Sequence, residues 1–330
     1  MAILVTGGSG YIGSHVVRLL QGRGERPIVI DSSASAGPID GRAVVLDVDL
    51  CGPDAVDTMR GILAEHSVTA VIHLAALKQV GESVNNPARY YAENIGGLAN
   101  LMLAIDGSSV TRFVFSSSAA VYGNPVRLPV GEGDPTAPIS PYGETKLAGE
   151  WLVRDCARAL GLRTLSLRYF NVAGAGWPDL GDPRSLNLLT IAMDAIQAGD
   201  APVVFGDDYP TPDGTAVRDY VHVLDLASAH LAALDYLDRE HRSLDVVNVG
   251  TGAGVSVKTL LDSLVRASGT AIAPRVAERR AGDPAEVIAD VSRMREELSW
   301  TAERSFVDIV DSAWSAREWS RLHDGETLTR

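Results

Sequence analysis

Apolar runs of four or five residues alternate with longer helical patterns through the first half of the chain. Residues 3–6, 27–30, 43–46, 70–74, 112–116 and 163–168 read as buried strands. Between them, 12–20, about 53–66, about 87–105 and about 141–160 read as helices. Strands apolar throughout, each followed by a helix, predict a parallel sheet covered on both faces. After about residue 172 the rhythm breaks. Residues 174–183 are rich in Gly and Pro, and 206–218 form a polar turn region. Helices follow at about 188–198, 226–238 and 257–267, with one more buried strand at 246–249. The expected architecture is α/β, a Rossmann-type doubly wound parallel sheet with a smaller α/β C-terminal lobe. Residues 1–172 form the first domain, with about 219–250 returning to its sheet, and the rest of 173–330 forms the lobe.

The chain has 330 residues, enough for about two domains of ordinary size and for a core that needs no staples. Its two cysteines, Cys51 and Cys156, make no framework, and the seven histidines do not cluster, so no metal site is expected. The net charge of −13 argues against nucleic acid or an anionic membrane as partner. No uncharged apolar run reaches the ~20 residues of a membrane span. The N-terminus lacks the basic and apolar regions of a signal peptide, so a cytoplasmic location is expected.

Three features carry chemistry. The first is Gly7-Gly-Ser-Gly10-Tyr-Ile-Gly13, between the first strand and the first helix. Glycine there lets the backbone turn sharply and approach a pyrophosphate, whose charge the helix N-terminus receives. The second is Asp31, which ends the second strand with no arginine beside it. A carboxylate at that place accepts from a ribose hydroxyl and repels a 2′-phosphate, which favours NAD over NADP. The third combines Tyr142 and Lys146 with the serines at 116–118. Ser140 and Pro141 suit the start of a helix, on which Tyr142 and Lys146 then share a face. A nearby ammonium is expected to lower the phenol from its usual value near ~10. The pair can then move a hydroxyl proton while a nicotinamide moves a hydride. The serines end the fifth strand, where doubly wound sheets bind ligands. Each feature has a plain structural reading taken singly: a tight turn, a solvated acid, an exposed helix pair. Their joint presence in this order is what points to a site.

These motifs resemble the extended short-chain dehydrogenase/reductase superfamily. Finer stretches resemble its UDP-glucose (UDP-galactose) 4-epimerase family over nearly the whole chain: 4–15, Lys78-Gln-Val-Gly-Glu-Ser-Val84, Leu167-Arg-Tyr-Phe-Asn171 and 206–226. The resemblance implies a reversible inversion at C4 of a UDP-hexose. NAD stays bound, hydride leaves C4 and returns to the opposite face, and a 4-keto sugar lies between. It implies Tyr142 as base, Lys146 as the group that tunes it, and Ser118 on the 4-hydroxyl. Cofactor contacts implied are Gly7, Gly10, Tyr11, Ile12, Gly13, Asp31, Asp47, Val48, Leu74, Lys78, Asn94, Ser116 and Tyr169, besides Tyr142 and Lys146. Substrate contacts implied are Lys78, Ser118, Tyr142, Asn171, Asn187, Leu188, Val203, Phe205, Arg218, Arg280, Asp283 and Val287. The family also suggests a homodimer through the helix near residue 95 and the helix of Tyr142.

Two positions depart from the family pattern. Asn187-Leu-Leu-Thr190 lacks the usual proline. Val287 falls where some members carry tyrosine, leaving room for an N-acetyl group. A 4,6-dehydratase and a reductase are the alternatives within the superfamily. The first would carry an Asp-Glu pair after Ser118, where Ala119 and Ala120 stand, and the second would not need the diphosphate arginines. A non-enzymatic NAD-binding regulator would tend to lose Tyr142 or Lys146, and both are present.

Overall fold

The computed structural model describes residues 2–32, 43–279 and 283–323. Its first half runs β1 (Ala2–Thr6), α1 (Tyr11–Gly22), β2 (Arg26–Asp31), β3 (Val44–Asp47), α2 (Ala55–Glu65), β4 (Ala70–His73), α3 (Val80–Asn85), α4 (Pro87–Tyr91), α5 (Gly97–Ile105), β5 (Arg112–Ser116), α6 (Pro141–Leu160) and β6 (Arg163–Tyr169). The second half adds β7 (Asn171–Ala173), α7 (Leu188–Ala198), β8 (Val203–Phe205), β9 (Val217–His222), α8 (Val223–Arg239), β10 (Leu244–Val249), β11 (Gly254–Ser256), α9 (Val257–Ser268), β12 (Arg275–Ala277), β13 (Glu286–Val287), α10 (Ser292–Leu298) and α11 (Phe306–His323).

The main sheet is parallel, in the order β10-β6-β5-β4-β1-β2-β3. Both faces are covered, which is why its strands read as unbroken apolar runs. Side chains alternate between the faces. Ile3, Val5, Ala70, Ile72 and Val114 pack with α1, α8 and α10, whereas Leu4, Val71, Phe113 and Phe115 pack with α2, α5 and α6. The strand order reverses between β1 and β4, and a crevice opens there beyond the strands' carboxyl ends.

The return to this sheet is narrower than residues 219–250. Helix α8 packs on it and β10 joins it beside β6. Strand β9 does not, because it pairs with β7, β11 and β13 in a second small sheet. Around β9, helices α7, α9 and α11 enclose a separate core of Leu189, Met193, Tyr220, Leu260, Leu264 and Ile309. A smaller cluster of Val121, Tyr122, Val130, Leu147, Phe170 and Ala289 joins the two regions.

The long helix expected over about 87–105 is interrupted. A π turn at Ala92–Gly96 separates α4 from α5 and brings Asn94 inward, 6% exposed. Among the described residues, no helix is long and apolar enough to cross a membrane.

Candidate active site

The crevice at the strand-order reversal is a cleft of about 430 Å³. Its floor is the glycine turn. Gly7 has φ of +68°, and a Cβ there would stand 2.7 Å from the Ala75 nitrogen. A Cβ on Gly13 would meet the Gly7 carbonyl oxygen at 2.2 Å, so only hydrogen fits where α1 starts. Gly10, the N-cap, brings no side chain to the first amides of α1, which stay available to a ligand. The Asp31 carboxylate lies at the rim and accepts from the Ser9 amide at 3.1 Å. These bare amides, beside an acid suited to a ribose and glycines that admit a close backbone approach, fit a dinucleotide.

Gly7, Gly10, Tyr11, Ile12, Gly13, Asp31, Val48, Leu74, Lys78, Asn94, Tyr142, Lys146 and Tyr169 line this one cleft, although they come from seven separate stretches of sequence. Two expected cofactor residues do not line it. Asp47 is exposed at the end of β3, and the wall is built by Val48, Asp49, Leu50 and Cys51 instead. Ser116 is 1% exposed, and its hydroxyl donates to Tyr169 at 3.1 Å. Asn94 works through the backbone. Its amide group clamps Leu77 at 2.8 and 3.1 Å and reaches Thr145 at 3.0 Å, tying the wall to α6.

Helix α6 begins as its sequence predicts. The Ser140 hydroxyl accepts from the Gly143 amide at 3.2 Å, Pro141 opens the first turn, and Gly161 ends the helix with φ of +68°. This sets Tyr142 and Lys146, 7% and 4% exposed, against the end of β5. The Ser118 side chain lies beside the Tyr142 phenol and opposes its rise. It also accepts from the Ala120 amide at 3.2 Å, which fixes its rotamer.

The expected lowering of Tyr142 by Lys146 is not found in the protein alone. Burial drives the phenol well above its ordinary value, with the neighbouring Ser118 side chain a smaller opposing effect. The Lys146 ammonium donates to the Ser116 carbonyl at 2.8 Å and lies 5.9 Å from the Tyr142 ring centre. Its own value falls to about 8, mainly through burial. The buried phenol therefore keeps its proton at neutral pH.

Of the residues expected at the substrate, Lys78 and Tyr142 line the cofactor cleft, Ser118 follows β5 on the first region, and the other described ones lie on the smaller region. Arg218 on β9 stands beside Val287 on β13, and Val287 packs on the junction cluster next to Ala119. Asn171 opens β7 against Tyr220. Val203 and Phe205 lie on β8, which pairs with β12, the strand leading toward Asp283. Arg280 lies outside the described residues. Asn187 caps α7, accepting from the Thr190 amide at 2.9 Å and donating to Asp182 at 3.1 Å. Thr190 answers with its own hydroxyl on the Asn187 amide, so threonine in place of the family's proline completes a capping box. Leu188 follows as the first residue of α7.

Several cleft residues escape sequence reasoning. Asp182, Pro183 and Arg184 close it from the Gly/Pro-rich stretch, which read only as a break in rhythm. Asp49, Cys51 and Glu93 bring their ligand atoms within 4.8 Å of one another at its edge. Burial and the two acids raise the Cys51 thiol to about 11.

A dinucleotide cleft lined by Tyr142 and Lys146, with the serines that end β5 against them, defines a nucleotide-dependent oxidoreductive class. The sequence pattern described as the NAD dependent epimerase/dehydratase family matches residues 3–250. A UDP-glucose 4-epimerase of Halalkalibacterium halodurans is 41% identical over 331 residues, covering 98% of this chain and 96% of its own. The crystal structure of a UDP-glucose 4-epimerase from Stenotrophomonas maltophila, with bound NAD and formylated UDP-arabinopyranose, superposes with a TM-score of 0.91 at 40% identity over 98% of this chain and 99% of that one. That from Bifidobacterium longum, in complex with NAD+ and UDP, gives 0.88 at 36% identity over the same shares. The chain belongs to the NAD-dependent epimerase/dehydratase family. Within it, the chain is a member of the UDP-glucose 4-epimerases.

Proposed function

We propose that the chain interconverts UDP-galactose and UDP-glucose by inverting C4 of the hexose on tightly held NAD. The reading is carried by one observation: Tyr142 and Lys146 line a cleft built around the 7–13 glycine turn, with the serines that end β5 set against them. The relatives that match over nearly the full chain give the sugar and the carbon.

The 7–13 turn, Asp31, Val48, Leu74, Lys78, Asn94 and Tyr169 would hold the cofactor. Asp31 would take the adenosine ribose and exclude a 2′-phosphate. NAD when bound supplies a hydride acceptor and a positive charge beside the phenol. The Ser118 hydroxyl holds the oxygen at C4, and Tyr142 takes its proton and later returns it. Lys146 keeps a positive charge at that end of the cleft, which favours the phenolate. Arg218 and Arg280 serve the substrate diphosphate, for which planar guanidinium groups suit bidentate contacts. Asn171, Asn187 and Leu188 line the same end, Val203 and Phe205 flank the uracil, and Asp283 holds its ribose. The backbone site of the 116–118 turn favours epimerisation over dehydration, since Ala119 and Ala120 offer no acid or base.

The test uses protein purified without added cofactor. Turnover of UDP-galactose to UDP-glucose with no net use of NAD supports the reading. A requirement for added NAD in stoichiometric amounts would defeat it. Val287, smaller than tyrosine, is expected to admit UDP-N-acetylglucosamine as a further substrate. If UDP-galactose turns over and the N-acetylated sugar does not, that extension falls.

The assembly is read as a homodimer through α5 and α6, working in the cytoplasm. Helix α6 presents Glu144, Trp151 and Asp155 outward, with Trp151 51% exposed. The neighbouring stretch offers Ala92, Gly96, Ala99 and Leu103 at helical spacing, a surface of small and apolar residues that suits close helix packing.

A further inference from the structure

A buried ionic group lies directly behind the reacting end of the cleft. Glu150 is one helical turn beyond Lys146, and Arg168 faces it from β6, both side chains 6% exposed. The pair is bidentate: Arg168 Nε donates to Glu150 Oε1 at 2.8 Å and Nη2 to Oε2 at 2.7 Å. Glu150 Oε1 also accepts from the Ser117 hydroxyl at 2.5 Å, and Ser117 stands between the two serines of the site. Arg168 Nη1 donates to the Tyr122 hydroxyl at 3.0 Å, which donates in turn to Asn248 Oδ1 at 2.7 Å. The Asn248 amide nitrogen then donates to the carbonyls of Val130 and Asp290, at 2.9 and 3.3 Å. Through Asp290 the chain of bonds reaches the strand end that carries Val287.

We infer that Glu150, paired with Arg168, is a positioning residue for the reaction, holding the 116–118 turn and α6 in one register and tying both to the segment of Val287. This rests on the function proposed above.

An isolated buried ion pair is weak as a source of stability, since apolar residues of similar volume often do as well. Its bonds explain why it is there. Three segments, the 116–118 turn, α6 and β6, share one set of charged hydrogen bonds, and neutral bonds through Tyr122 and Asn248 extend it to Asp290 in the 287–290 stretch. Misplacement of reacting groups by about 1 Å is enough to lower a rate a hundredfold. The pair also touches Lys146 electrically, because Glu150 opposes the lowering that burial imposes on that ammonium. The other groups facing Lys146 are Tyr142 on its own helix, His73 at the end of β4, and the ring of Phe115 and carbonyl of Ser116 on β5.

Glu150→Gln keeps the shape and removes the charge. The expected result is a fall in kcat of about ten- to a hundredfold, with KM for UDP-galactose within about twofold and NAD retained on purification. The pH limb that reports loss of the Lys146 proton is expected to move to lower pH, since a negative neighbour is gone. A folded Glu150→Gln protein with the kcat and pH profile of the unsubstituted enzyme overturns the inference. So does one whose only defect is a lower melting temperature. If that variant does not fold, Ser117→Ala decides, because it leaves the ion pair whole and cuts only its link to the turn. A fall in kcat of about threefold or more at unchanged melting temperature supports the role, and an unchanged kcat ends it. Turnover by the unsubstituted protein is measured beside each variant. Its absence would count against the proposed function, whereas equal turnover in both counts against Glu150 alone.

Discussion

Tyr142 shows how much of a residue's chemistry its surroundings decide. The phenol is buried beside Ser118 and raised well above its ordinary value. In the function proposed above it acts as a base only when positive charge joins Lys146 beside it. Tyr142→Phe removes the proton acceptor and leaves the ring in its place. Turnover is expected to fall by at least about a hundredfold, as for loss of a general base. Bound NAD is expected to remain, because the cofactor cleft keeps its glycine turn and every other wall. Cofactor content and UDP-galactose turnover measured on the same preparation check this, and substantial residual turnover would reassign the base. The motif was legible in sequence as Y-x-x-x-K, but the direction of the phenol's shift was not. Spacing on a helix says that two side chains share a face. It does not say that the ammonium donates to the Ser116 carbonyl 30 residues away.

At the scale of elements, local signals performed well where they act alone. The start of α6 at Pro141 and its end before Gly161 follow from a serine cap, a first-turn proline and a glycine stop. The π turn at Ala92–Gly96 had no such signal, since the helical pattern runs through it unbroken. The inward turn of Asn94 belongs to packing against Leu77 and Thr145. The short strands β7, β8, β11, β12 and β13, of two or three residues each, were also invisible, being too brief to show an apolar period. The outer faces of α5 and α6 carry a prediction of their own. Trp151→Glu places a charge at the centre of the surface read as the dimer contact. Light scattering is expected to give twice the 35.0 kDa chain mass for the unsubstituted protein and a single chain for the variant. A single-chain mass for the unsubstituted protein would remove the interface.

The whole molecule hides four histidines. Burial lowers His15, His222 and His230 to about 4 and His73 to about 3. Each is bonded as a neutral ring, as His73 is to Thr6 at 2.8 Å and His15 to the Gly176 amide at 2.9 Å. In the unfolded chain they would take protons near pH 6.5, while the folded protein resists until about pH 4. Below pH 6.5 the unfolded state therefore binds more protons, and stability falls with falling pH through the window from about 6.5 to 4. Lowered carboxyls such as Asp179 add to the loss, and raised Asp219 works against it. The melting temperature is expected to drop by more than about 5 °C between pH 7 and pH 4.5. A flat profile over that range would mean that these rings take protons in the fold as readily as in the unfolded chain.

The sequence by itself determined the alternation of strands and helices, the glycine turn, the acid at the end of β2 and the Tyr-Lys spacing. Each depends on residues within a helical turn or a strand of one another, so its physics is local. Only the tertiary structure decided the rest. It sent β10 back to the first sheet and β9 away from it, closed the cleft with Asp182, Pro183 and Arg184, and set Glu150 against Arg168 behind the serines. These pairings join residues far apart in the chain. They are chosen by which apolar faces can be buried together and which buried charges can be satisfied, and no short stretch of sequence carries that information.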